Sequence, residues 1–301
     1  MKKLVVDILI VLLMLVGIDI SIAKIGNYLL EHVEDTSFYG EIKYAITEIT
    51  PDVLIVGASR AKSHYVPQVF IDSLHKTVYN AGSDGKNIFY HSCIINAVIK
   101  RKVPDMIILE LAAQEFQWNV YDRLSVLNPF YNHDSLITAT VNLKSKTEWV
   151  KMKSNLYRYN SILPTLINNV YKKGEHKSYG YRNLPYGGKM PELKPMEILE
   201  EPIDTNSINR VLYVVNVCKT NNIPLILAIS PCYGYLPEET TTIQTLKNIC
   251  KQYNLPFLNY SQSAYFLQHP EFFRDVYHLN HKGAEVYTKM IVNHIKFTKN
   301  Y

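Results

Sequence analysis

The hydrophobic pattern divides the chain into three regions. In the first, Leu4 to Ala23 is apolar except at Asp7, Asp19 and Ser21, and Ile8 to Ile18 is unbroken. About 20 residues of helix cross a bilayer, and charges near the ends of such a stretch reach the headgroups. Lys2 and Lys3 precede the run, which favours an N-terminus in the cytoplasm and the remainder outside. The pattern predicts an uncleaved signal anchor over residues 1–23. The alternative is a secretory signal cut near Ala23, after the small-residue stretch Ser21-Ile22-Ala23. Both readings put the rest of the chain outside the cytoplasm.

Residues 24–48 are polar with helical spacing and predict a stalk. From Pro51 the rhythm changes to short apolar runs that end in turns. "DVLIVGASR" (52–60), "KTVYNAGSDG" (76–85), "PDMIILELAAQEF" (104–116), "IPLILAISP" (223–231) and "LPFLNY" (255–260) each read as a buried strand. Helical spacing fills 66–75, 87–101, 206–221, 239–253 and 281–297. Strands alternating with helices predict an α/β fold of three layers, with a mainly parallel five-stranded sheet between two layers of helices. Residues 117–204 break the alternation. They hold a long polar helical part and a Gly- and Pro-punctuated loop, too long for a simple connection, and predict a cap inserted in a domain of residues 49–301. Its lysines and arginines read as a solvated helix face or, alternatively, as a face toward an acidic or polyhydroxylated substrate.

Composition narrows the partners. The net charge of +5 over 301 residues is dispersed, whereas nucleic-acid binding asks for a clustered basic face. The 23 tyrosines are compatible with sugar stacking and equally with base bias in the gene. Cys93, Cys218, Cys232 and Cys250 form no CxxC pair, so no zinc site is expected. A Cys232–Cys250 bridge is open to the chain in an oxidising compartment.

Candidate chemistry falls where parallel sheets bind ligands, beyond the carboxyl ends of strands. Ser59 follows the first strand and opens a helix, where unpaired backbone N–H groups favour negative charge. Gly85 lies in the turn after the second strand, and Gln114 lies past the third. In the last loop, Asp275 and His278 sit three residues apart in "DVYHLN". A histidine base needs an acid that fixes its tautomer, and this spacing supplies one locally. Arg60 and His64 follow Ser59 and are candidates to line a substrate pocket. Asp275, His278 and His281 recur every third residue, but His281 reads as the start of the last helix, and no metal or other cofactor is expected.

In this order the segments resemble the SGNH/GDSL hydrolase family over about residues 50–297. "GASR" resembles its first block, "NAGSDG" its second, and "DVYHLN" fits the last block, D-x-x-H-(L/P)-N. "ELAAQE" stands where the family usually has E-L-G-x-N-D, so Gln114 replaces Asn and Ala112 and Ala113 narrow the room beside it. The resemblance implies Ser59 as nucleophile, His278 as base and Asp275 as its orienting acid. It also implies an oxyanion site made by the backbone of Ser59 and Gly85 with Gln114. The implied activity is that of a serine esterase or acyltransferase on O-acyl groups, O-acetyl above all, of cell-surface or exported polysaccharide. The alternative is a silent carbohydrate-binding accessory of an envelope polysaccharide system, with Gln114 as the mark of a lost oxyanion site.

Overall fold

The structure is a computed structural model that describes residues 1–117, 121–171, 178–198, 202–236 and 238–299. In chain order the elements are α1 (Lys2–Glu31), α2 (Phe38–Thr47), β1 (Val53–Val56), α3 (Ser59–His64), α4 (Pro67–Leu74), β2 (Val78–Asn80) and α5 (Ile88–Arg101). Then come β3 (Met106–Glu110), α6 (Ser135–Asn142), α7 (Glu148–Lys151), α8 (Asn155–Tyr159), α9 (Leu163–Tyr171) and α10 (Thr205–Thr220). The chain closes with β4 (Leu225–Ile229), α11 (Thr241–Tyr253), β5 (Phe257–Asn259), α12 (Ala264–Leu267) and α13 (His281–Lys299). Short 3-10 turns join several of these.

The fold is α/β, with five parallel strands in the order β2-β1-β3-β4-β5. All residues of β1, β3 and β4 are buried, which is why these segments read as unbroken apolar runs rather than alternating ones. Successive side chains point to opposite faces. Val53, Ile55, Met106, Ile108, Ile226 and Ala228 share one core with Phe70 of α4 and with Tyr287, Ile291 and Ile295 of α13. Leu54, Ile107, Leu109, Leu225 and Leu227 are left for the other face, where α5 packs on β1 and α10. The strand order reverses between β1 and β3. This is the switch point at which sheets of this kind open a crevice beyond their strands.

The chain divides into two compact units, residues 1–44 with 121–176, and residues 45–120 with 177–301. The sheet belongs to the second. In the first, α1 packs against α8 and α9. Helix α1 is long and apolar enough to cross a membrane, and its apolar window is wholly exposed. The 117–204 insertion therefore contributes to both units, and its residues 118–120, 172–177 and 199–201 lie outside the described residues.

Candidate active site

Ser59 is the first residue of α3, two positions after Gly57 and three after the end of β1. Gly57 has φ +152°, and a Cβ there would stand 2.6 Å from the Glu110 carbonyl oxygen. Only glycine lets the chain turn this close to β3. The turn presents Ser59, half-buried, at the carboxyl end of the sheet.

The last loop reaches the same place from 219 positions away, and Ser59 Oγ lies 2.8 Å from His278 Nε2. The other ring nitrogen, Nδ1, is 2.9 Å from Asp275 Oδ1 and 3.1 Å from Oδ2. The carboxylate can only accept, so Nδ1 carries the proton and Nε2 offers its lone pair to the serine hydroxyl. Asp275 Oδ1 also accepts from the backbone N–H groups of Tyr277 (2.9 Å) and His278 (3.0 Å), which closes the four-residue turn. Asn280 staples the loop by donating to the carbonyls of Glu271 (2.7 Å) and Phe273 (3.3 Å). A serine hydroxyl, an imidazole in the accepting tautomer and an orienting carboxylate form a line that can remove the serine proton.

A second histidine supports this loop from beneath. His64, at the end of α3, is fully buried. Its Nε2 accepts from the backbone N–H of Leu279 (2.9 Å), the residue after His278. Because that nitrogen accepts, Nδ1 carries the proton and donates to Ser230 Oγ (2.8 Å). Ser230 passes its hydroxyl proton (2.7 Å) and its backbone N–H (2.9 Å) to Glu110 Oε1 at the end of β3. Tyr65 donates to Glu110 Oε2 (2.5 Å) and stands 3.0 Å from the Tyr287 hydroxyl. Burial holds His64 well below the ordinary histidine range, with the positive charge of nearby groups adding to it. Burial pushes the Glu110 carboxyl up, opposed by Arg60, Tyr65 and Ser230.

The expectation that His64 lines a substrate pocket is thus corrected: both ring nitrogens are used inside the protein. Arg60 is likewise turned inward. Its Nη2 donates to the Leu111 carbonyl (2.9 Å), and its Nε is 3.7 Å from Glu110. Gly85 lies in the turn between β2 and α5 with φ +65°, a conformation suited to glycine. Gln114 follows β3 and donates through Nε2 to the Glu197 carbonyl (2.9 Å). His281 starts α13 and shares a hydrogen bond with the Tyr181 hydroxyl (2.9 Å). Cys93, Cys218, Cys232 and Cys250 are all buried thiols outside any disulfide.

Sequence reasoning missed Glu110, Ser230 and Tyr65, which read as ordinary strand-end and helix residues. It also missed the strap formed by residues 181–198. Leu184 accepts the His281 N–H (2.8 Å), and Met196 donates its N–H to the Tyr235 carbonyl (2.8 Å). Between strap and loop lies a cavity of about 150 Å³. Pro191, Lys194, Met196 and Glu197 line one side of it, with Tyr233, Val276 and Tyr277 opposite. Val276 and Tyr277 are the two residues between Asp275 and His278.

No protein-family description and no curated protein matches the chain. Among solved structures, it is similar to a crystal structure of a candidate acylhydrolase from Bacteroides fragilis NCTC 9343. The two are 13% identical with a TM-score of 0.42, over 85% of this chain and 94% of that one.

Proposed function

We propose that the chain is a membrane-anchored serine esterase or acyltransferase of SGNH/GDSL type, with its sheet domain outside the cytoplasm. The reading rests on one observation above all, the line Ser59 Oγ, His278 Nε2, His278 Nδ1, Asp275 at 2.8 and 2.9 Å. His278 takes the serine proton as Ser59 attacks an ester carbonyl. The alkoxide leaves as the alcohol with that proton, and water or a sugar hydroxyl then resolves the acyl-enzyme. The first-turn N–H groups of α3 lack intrahelical partners and supply oxyanion donors, joined by Gly85. The substrate is an O-acetylated cell-surface or exported polysaccharide. The cavity beside Tyr277 is of a size for one sugar ring and receives the alcohol part of the ester.

One observation favours the silent, carbohydrate-binding alternative: Gln114 spends an amide hydrogen on Glu197. Losing an oxyanion donor of this kind costs about 10²–10³ in rate. A fluorophosphonate probe and an aryl acetate, applied to the full chain beside Ser59→Ala, separate the two. Labelling and ester cleavage that both vanish in Ser59→Ala are expected. Absence of both in the parent chain, with acetylated oligosaccharide also left intact, refutes the enzyme reading.

A further inference from the structure

Helix α1 changes character at Asp19. Every residue from Leu4 to Ile18 is exposed, whereas Asp19, Ile22, Ala23 and Gly26 are covered. That 3- and 4-residue spacing is one helical face, and it packs on α8 and α9 of the same compact unit. A Cβ at Gly26 would meet the Tyr159 ring at 2.6 Å, and Tyr159 donates its hydroxyl proton to Asn27. Asp19 itself accepts three hydrogen bonds from the start of α8. Oδ1 takes them from Ser154 Oγ and Leu156 N–H, both at 2.8 Å, and Oδ2 takes one from Asn155 Nδ2 at 2.9 Å.

This contact has a consequence for the anchor. Asp19 stands 15 residues after Leu4, about 22 Å along a helix axis, while the hydrocarbon layer is about 30 Å thick. A span that starts at Leu4 therefore leaves Asp19 about 8 Å short of the far edge of that layer, so the tip of α8 meets the bilayer in its outer acyl region, just beneath the headgroups.

The surface of that tip has the matching chemistry. Trp149, Val150 and Leu156 are 53, 48 and 46% exposed. On α7 and the two residues after it, Glu148 and Met152 face inward while Trp149, Val150 and Lys153 lie outside. Residues 143–156 hold four lysines and one acid, Glu148. That acid is buried and bound to Lys144 at 2.7 Å and Lys151 at 3.5 Å. The Lys153 ammonium sits 4.9 Å from the centre of the Trp149 ring. Tryptophan backed by lysine is the pairing that bilayer interfaces favour, the ring among the upper acyl carbons and the ammonium at anionic headgroups. Scattered exposed apolar residues carry no such meaning. Here they lie on α7 and on α8, whose start binds Asp19, where the unbroken exposed run of α1 from Leu4 to Ile18 ends.

We propose that residues 143–156 form a lipid-interface docking surface, seating Trp149, Val150 and Leu156 at the bilayer boundary with the exposed Lys146 and Lys153 on anionic headgroups. The proposal rests on the reading of α1 as an anchor. The test uses the full chain with Trp118→Phe, which leaves Trp149 as its one tryptophan. It is placed in vesicles of phosphatidylcholine and phosphatidylglycerol. A dye on Leu12→Cys reports the anchor separately, because the four native cysteines are buried.

Lipids brominated near the headgroup end of the acyl chain are expected to quench Trp149 about twofold, with iodide protection. Lys146→Glu with Lys153→Glu should weaken the quenching while the Leu12 dye stays inserted. If the dye is quenched by deep bromines but Trp149 remains open to iodide, the docking surface is overturned and the anchor stands. A Trp149 shielded from iodide yet untouched by brominated lipid is covered by protein, which also overturns it. An unquenched dye overturns the anchor and the surface together.

Discussion

Replacing His64 by leucine removes the acceptor of the Leu279 N–H and the donor to Ser230, at a position with no solvent to substitute for either. An orphaned buried N–H costs about 1–3 kcal/mol, and loss of the second bond about 1 kcal/mol more. A fall of about 2–4 kcal/mol in unfolding free energy is expected, read from urea midpoints at constant m. The effect on turnover has a different origin. Leu279 is covalently next to His278, so a loop released there moves Nε2 away from Ser59. A displacement of about 1 Å can cost about 10²-fold in rate. Because neither group of His64 touches the reacting atoms, KM for an aryl acetate should hold while kcat falls. The same variant should slow fluorophosphonate labelling. His64→Gln keeps an amide oxygen for Leu279 and an N–H for Ser230, and should recover part of both losses. The ring of His64 also meets that of His278 edge-on, with centroids 6.1 Å apart. A neutral His64 does not oppose the imidazolium that the proposed mechanism forms there. A folded His64→Leu protein with parental kcat would refute the view that the buried chain from Glu110 to Leu279 positions the base.

Three further outcomes follow from single contacts. Asp275→Asn should lower kcat by about 10²–10⁴, because an amide in place of the carboxylate no longer enforces the tautomer; the half exposure of Asp275 favours the lower end, and unchanged kcat would refute its role. Gly57→Ala should destabilise the fold by about 1–3 kcal/mol through its positive φ and the Glu110 carbonyl, and an unchanged urea midpoint would refute that. His91 is buried on α5, and burial lowers it to about 3. The unfolded chain binds the proton first as pH falls, so this stability is complete above the ordinary histidine value and is lost progressively from about pH 6.5 toward pH 3. About 2 kcal/mol should be gone by pH 5, and His91→Phe should flatten that limb of the urea-midpoint profile.

Local pattern was enough for much of this protein. The five strands and the helices 66–75, 87–101, 206–221, 239–253 and 281–297 were legible because burial on both faces makes unbroken apolar runs, and amphipathic helices repeat every 3.6 residues. Asp275 and His278 were legible as a pair because three residues of turn bring them together. Ser59 was legible as a serine in the turn between strand and helix. None of these signals states what lies across the sheet.

Tertiary structure alone decided the order β2-β1-β3-β4-β5, and with it the meeting of Ser59 and His278 across 219 positions. It moved His64 from an expected pocket residue to a buried support and turned the half-buried Arg60 toward Leu111 and Glu110, since an α3 side chain faces core or solvent according to how the helix packs, not according to its neighbours in sequence. It divided the 117–204 insertion, giving one part to the helices around α1 and the strap 181–198 to the wall beside Tyr277. It also converted Asp19 from a blemish in an apolar run into the acceptor of three hydrogen bonds from α8. A sequence period records which face of an element is apolar. Which polar groups then meet over that face depends on how the elements pack, and here those meetings built the site.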